Sequence, residues 1–163
     1  MNKNLDIQNK FVLNINAFNG IDAVKLQAEK QKLFVQSHYP IDYKGDVELG
    51  LTEFFDENIG YTYGDIILNK AESQGCNTGS VLASVLLQNW DQIPVSWGDF
   101  KLVFPGTVWN CPDNHRGLTV FFKEDGKWTF TLVGIDSFPS FPNSRFVYDC
   151  RPIKFPTKIE LKK

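Results

Sequence analysis

Two runs of apolar and β-branched residues, Leu118-Thr119-Val120-Phe121-Phe122 and Trp128-Thr129-Phe130-Thr131-Leu132-Val133, flank Lys123-Glu124-Asp125-Gly126-Lys127. They predict a β-hairpin, because Asp-Gly between strand-like runs supplies the left-handed backbone that a tight hairpin turn requires. In the second arm Trp128, Phe130 and Leu132 point one way while Thr129 and Thr131 point the other. That is the pattern of an antiparallel sheet with one wet face. A lone hairpin is marginal in water, so these arms need further strands or a covering helix.

The rest of the chain offers both. Strands are predicted over 11–16, over 61–68 with a bulge at Gly64, over 100–104 with a break at Pro105-Gly106 and a restart over 107–109, and over 145–150. Residues 21–37 contain neither Gly nor Pro, and Asn19 with Asp22 imitates a capping box, so a helix is predicted there. A short helix over 46–55, ending before Asn58 and Gly60, and an apolar central helix over 80–90 complete the reading. The expected architecture is α+β: an antiparallel sheet drawn mostly from the C-terminal half, with two to three helices packed on one face. The 163 residues are expected to form one domain with a short polar N-terminal tail and a basic C-terminal tail marked by Pro152 and Pro156. A chain of this length buries roughly two-thirds of its unfolded surface, so its fold needs no metal or disulfide staple.

Charge narrows the partners. Seventeen basic and nineteen acidic side chains leave a net charge of −2, too balanced for a protein that lives on nucleic acid or an anionic membrane. The best apolar run, 81–87, falls well short of the roughly 20 residues of a membrane helix. No apolar stretch follows Lys3, which predicts a cytoplasmic protein. Cys76, Cys111 and Cys150 are odd in number and widely spaced, as expected of reduced thiols, although a Cys111–Cys150 bridge would place the protein outside the reducing cytoplasm.

Acidic residues crowd one segment. Asp42, Asp46, Glu48, Glu53, Asp56, Glu57 and Asp65 share it with Lys44 as the one base, and Tyr39, Tyr43, Phe54, Phe55, Tyr61 and Tyr63 interleave. Acidic surfaces carrying tyrosines suit a basic partner, since charge steers the encounter and aromatic anchors hold it. The expectation is therefore a non-enzymatic binding domain, inhibitor or immunity-like, that holds a basic protein such as a toxin or enzyme through Asp46, Glu48, Glu53, Asp56, Glu57, Tyr61 and Tyr63. A solvated face whose aromatics serve the core would carry the same pattern.

The alternative is chemical. Cys76 precedes the apolar helix, with Asn77 or Thr78 as a possible cap, where the helix dipole would lower a thiol pKa. His115 and Asp136 sit at the same end of the hairpin, as a base and its orienting carboxylate would. This order of thiol, His and acid resembles that of papain-type cysteine hydrolases, including small cell-wall amidases, with Gly98-Asp99 and Asp125-Gly126-Lys127-Trp128 as further points of likeness. The resemblance implies Cys76 as nucleophile, His115 as base and Asp136 as orienter. Taken singly, each has a plainer role: a core thiol, a turn histidine and a turn aspartate. His38 and His115 lie far apart and no His or Cys pair has ligand spacing, so no metal is expected. Phosphate-binding loops and dinucleotide fingerprints are absent from the sequence, and no cofactor is expected. A third reading places Trp97, Trp109 and Trp128 around a small-ligand pocket, against the plainer role of core packing.

Overall fold

The computed structural model describes residues 10–15, 18, 20–38, 43, 45–53, 64–112, 115–136, 143–150 and 158–161. In chain order the elements are β1 (Lys10–Ile15), α1 (Ala23–Lys30), β2 (Phe34–His38), β3 (Gly45–Glu53), α2 (Gly64–Ser73) and α3 (Ser80–Gln88). Two short 3-10 turns, Trp90–Gln92 and Val95–Asp99, lead into β4 (Lys101–Asn110), β5 (Arg116–Glu124), β6 (Lys127–Gly134), β7 (Ser144–Asp149) and β8 (Ile159–Glu160). The fold is α+β, with one mostly antiparallel sheet.

β4 organises that sheet. Along one edge it pairs with β5, and β5 with β6, which is the hairpin expected from the sequence. Its other edge is shared. Residues 101–103 run parallel to β7, and residues 107–110 run antiparallel to β2. β7 continues the sheet through β3 to β1, and β2 carries β8. The sheet therefore forks beside β4, with β7 on one branch and β2 on the other. At the fork the β4–β5 register shifts between Phe104 and Val108, where Pro105-Gly106 had marked a break.

Side-chain alternation distributes the helices. Leu102, Phe104, Trp109, Phe121 and Val147 face one side and pack with Val24, Ala28, Leu82 and Leu86 of α1 and α3. Val103, Val108, Leu118, Val120 and Phe146 face the other side and pack with Ile67 and Ala71 of α2. Two helices thus share one face, and the third covers the opposite face. The chain must cross the sheet between α2 and α3, and it does so through the fork. Gly106 N donates to Thr78 O at 2.6 Å, Thr78 Oγ1 donates to Val147 O, and Ser80 N donates to Thr107 Oγ1 at 3.0 Å. Thr78 is wholly buried there, and these bonds satisfy polar groups that would otherwise be stranded in the core.

Asp22 fixes α1 to α3. Its carboxylate caps α1 by accepting from Lys25 N and also accepts from Ser80 Oγ at 2.7 Å and Ser84 Oγ at 2.9 Å. One side chain thereby ends one helix and anchors it on another.

Three local expectations are corrected. The helix predicted over 21–37 stops at Lys30, because Lys32 adopts a left-handed φ of 61° and residues 34–38 pair with β4 instead. The helix predicted over 46–55 is β3 as far as Glu53, with residues 54–55 outside the described residues, and its buried Val47, Leu49 and Leu51 follow the two-residue period of a strand held by β1 and β7. The strand predicted over 61–68 is helical from Gly64 onward, and residues 61–63 lie outside the described residues. Gly64 turns the chain with a φ of 54° while donating to Ile135 O, and Ile67 and Ala71 then bury one helical face. Burial on that face outweighs the β preference of Ile66-Ile67.

Candidate functional site

β3 sorts the acidic residues by strand parity. Asp46 and Glu48 point to the outer face, both exposed, opposite Asn14 and Val12 of β1. Val12 is itself 57% exposed, so an apolar side chain lies beside the two carboxylates. Further along the same face Gly50 leaves room for the Tyr148 ring, whose hydroxyl lies 2.6 Å from where a Cβ would sit. Among the described residues neither Asp46 nor Glu48 forms an ion pair. Glu53 lies on the other face, opposite Arg145, whose guanidinium stacks 4.5 Å from the Phe100 ring centroid. Asp65, in the first turn of α2, is bonded to Arg116. The structure thus keeps Asp46 and Glu48 together and sends Glu53 and Asp65 elsewhere. Asp56, Glu57, Tyr61 and Tyr63 lie outside the described residues.

The Cys-His-Asp set is placed as follows. Cys76 is buried among Ile67, Ala71, Leu118 and Ile135 at the entrance to the fork. Burial pushes its thiol up to about 12, the opposite of the lowering expected from a helix dipole. The reason is geometric: α3 begins at Ser80 with Gly79 as its cap, so the sulfur sits before a buried crossing and not at the helix end. A recess beside Cys76 is lined by Leu68, Glu72, Val108 and Lys158, and neither His115 nor Asp136 is part of that lining.

His115 is exposed and reaches the same end of the hairpin as Asp136, as the sequence suggested. Asp136 is engaged by Arg116, which donates from Nη2 at 2.6 Å, from Nε at 3.1 Å and from its backbone N at 2.8 Å. The hydrogen bond from the Arg116 side chain is the largest cause holding the Asp136 carboxyl below its usual range, and the nearby His115 is a minor contributor. Arg116 also donates from Nη1 to Asp65. Arg116 therefore ties the start of α2 to the open end of the hairpin, a role the sequence did not disclose because its two partners lie 51 and 20 residues away.

None of Cys76, Cys111 and Cys150 is in a disulfide, so the Cys111–Cys150 bridge is not formed. β7 leaves β4 after Val103, and Cys150 N donates to Glu48 O on the β3 side of that branch. Trp97 and Trp109 are fully buried in the core and Trp128 stacks on Phe121 with centroids 5.1 Å apart. Among the described residues no three His, Cys, Asp or Glu side chains cluster to hold a metal, and no helix is long and apolar enough to cross a membrane. Compared with known proteins, the chain matches no family, no curated protein and no solved structure.

Proposed function

We propose that the protein is a non-enzymatic binding domain of inhibitor or immunity type that meets a basic partner protein through the outer face of β3. The observation that carries this reading is the side-by-side exposure of Asp46 and Glu48 next to Val12, on strands already fixed by pairing. Charges on a rigid strand lose little freedom when a partner docks, and an apolar neighbour supplies contact area inside the charged ring. The state of the alternative site weighs in the same direction. A thiol with a pKa of about 12 is protonated at neutral pH, and Asp136 already has a cation in hydrogen-bond contact.

The test is charge reversal. The double variant Asp46→Lys, Glu48→Lys is expected to keep the fold, since both side chains face solvent, and to slow association with a captured basic partner by about tenfold or more at low salt. Its association rate is also expected to lose most of its dependence on ionic strength. Stopped-flow or surface-based kinetics against salt measure both. Unchanged rates and an unchanged salt slope would count against the reading.

A further inference from the structure

The edge of the sheet presented by β2 already holds a strand. Ser37 and His38 pair with Glu160 and Ile159 of β8, and the Leu161 amide donates to Gln36 O at 2.8 Å. This short segment lies between two recesses. Leu161 lines an apolar groove of about 560 Å³ on the α1 side, with Leu33, Phe34, Val35 and Trp109. Lys158 and Glu160 line a polar cleft of about 300 Å³ on the α2 side, together with Asp65, Asn69 and Glu72, and Leu161 borders this cleft as well. Arg116 also borders this cleft, with its charge matched by Asp136 and Asp65. The segment is lightly held: β8 is two residues long, and Ile159 and Leu161 remain 40% and 48% exposed. Such elements open at little cost.

We propose that the β2 edge is a strand-docking site for an extended basic peptide of a partner protein, and that residues 158–161 of the chain occupy it as a stand-in. The segment now docked displays the chemistry of the occupant. Its sequence, Lys158-Ile159-Glu160-Leu161, continues into Lys162-Lys163, so a lysine, 3.9 Å from Glu160 of the same segment, lines the cleft that also holds Glu72, while a leucine three positions on lines the apolar groove. Main-chain hydrogen bonds to β2 give such a site its affinity, and the alternating side chains give it selectivity. This edge is remote in the strand order from the Asp46–Glu48 face and does not rest on that reading.

A labelled peptide Lys-Ile-Glu-Leu-Lys-Lys, titrated into the full-length protein and into its Ile159→Pro variant, tests the proposal. In an antiparallel ladder alternate residues bond the same neighbour, so the Ile159 amide points at β2 as the Leu161 amide does, and proline deletes that donor outside the core. Apparent affinity scales with the fraction of molecules whose edge is open. The variant is therefore expected to bind the peptide at least about tenfold more tightly than the natural chain. Amide shifts are expected at Val35 and Gln36, with a shift of the Trp109 indole, and the peptide Lys-Ile-Glu-Asp-Lys-Lys is expected to bind neither protein. Equal affinity for both proteins, no binding to either, or shifts confined to Asp46 and Glu48 would overturn the proposal. A dimer of the natural chain that disappears in Ile159→Pro would overturn it too, by making a second copy the occupant.

Discussion

Gly106→Ala is expected to destabilise the protein strongly and to lower its melting temperature well below that of the natural chain. A Cβ on residue 106 would fall inside the carbonyl group of Asn77 and 2.8 Å from the Thr78 carbonyl carbon. Both obstacles are backbone, in the segment that threads the fork, and neither can swing aside as a side chain would. The Gly106 amide is also the donor to Thr78 O, so moving β4 away would break the bond that closes the fork. Overpacking a core commonly costs 1–3 kcal/mol, and a clash between two fixed backbones belongs above that range, at roughly 4 kcal/mol or more. In a domain of this size, 4 kcal/mol lowers the melting temperature by on the order of 10 °C. Gly126→Ala provides the contrast. That residue has a φ of 78° but nothing within 4 Å of its would-be Cβ, so only the conformational strain of about 1 kcal/mol is expected. Thermal melts of the two variants measure the difference.

Trp109→Ala is expected to cost about 3–5 kcal/mol. The side chain is wholly buried between the sheet and α1, and its indole Nε1 donates to Thr119 Oγ1 at 3.1 Å. Removing it opens a cavity and leaves the buried Thr119 hydroxyl without its donor. Trp109→Phe separates the two effects. It keeps most of the volume and loses the hydrogen bond, so a smaller loss of about 1–2 kcal/mol is expected in chemical denaturation.

The legible parts of the fold are those whose signals are local. The hairpin was readable because alternation and Asp125-Gly126 point to the same structure, and α3 because its apolar run has a helical length. Pro105-Gly106 marked an irregularity in β4, yet its purpose, admitting the chain between α2 and α3, depends on residues about 30 positions earlier. In the sequence β3 resembles a helix because Asp46, Glu48 and Glu53 are residue types common on helix surfaces. Its Val47, Leu49 and Leu51 show their period only once β1 and β7 lie on either side. Gly64 among β-branched neighbours suggests a bulge, but its left-handed backbone starts a helix, a choice made by Ile135 O and by burial of Ile67.

The candidate sites follow the same division. Charge density in the sequence located Asp46 and Glu48, but strand parity, which separates them from Glu53, required knowing that the segment is a strand. The proximity of His115 to Asp136 followed from the hairpin. Arg116 could not be singled out, because its pairing with Asp65 and Asp136 joins elements distant in the chain. Cys76 was placed at a helix end by sequence, and three residues of crossing segment proved enough to bury it.

The most direct test of the central reading, a binding domain and not a cysteine enzyme, is the alkylation rate of Cys76 in the native protein as a function of pH, with the modified thiols mapped by mass spectrometry. A thiol pushed up to about 12 by burial is almost wholly protonated at pH 7. Cys76 is therefore expected to stay unmodified at neutral pH until denaturant unfolds the chain, while Cys111 and Cys150, which are only partly buried, react before it. Rapid modification of native Cys76 at neutral pH, lost on His115→Ala, would contradict this and give the thiol a catalytic environment.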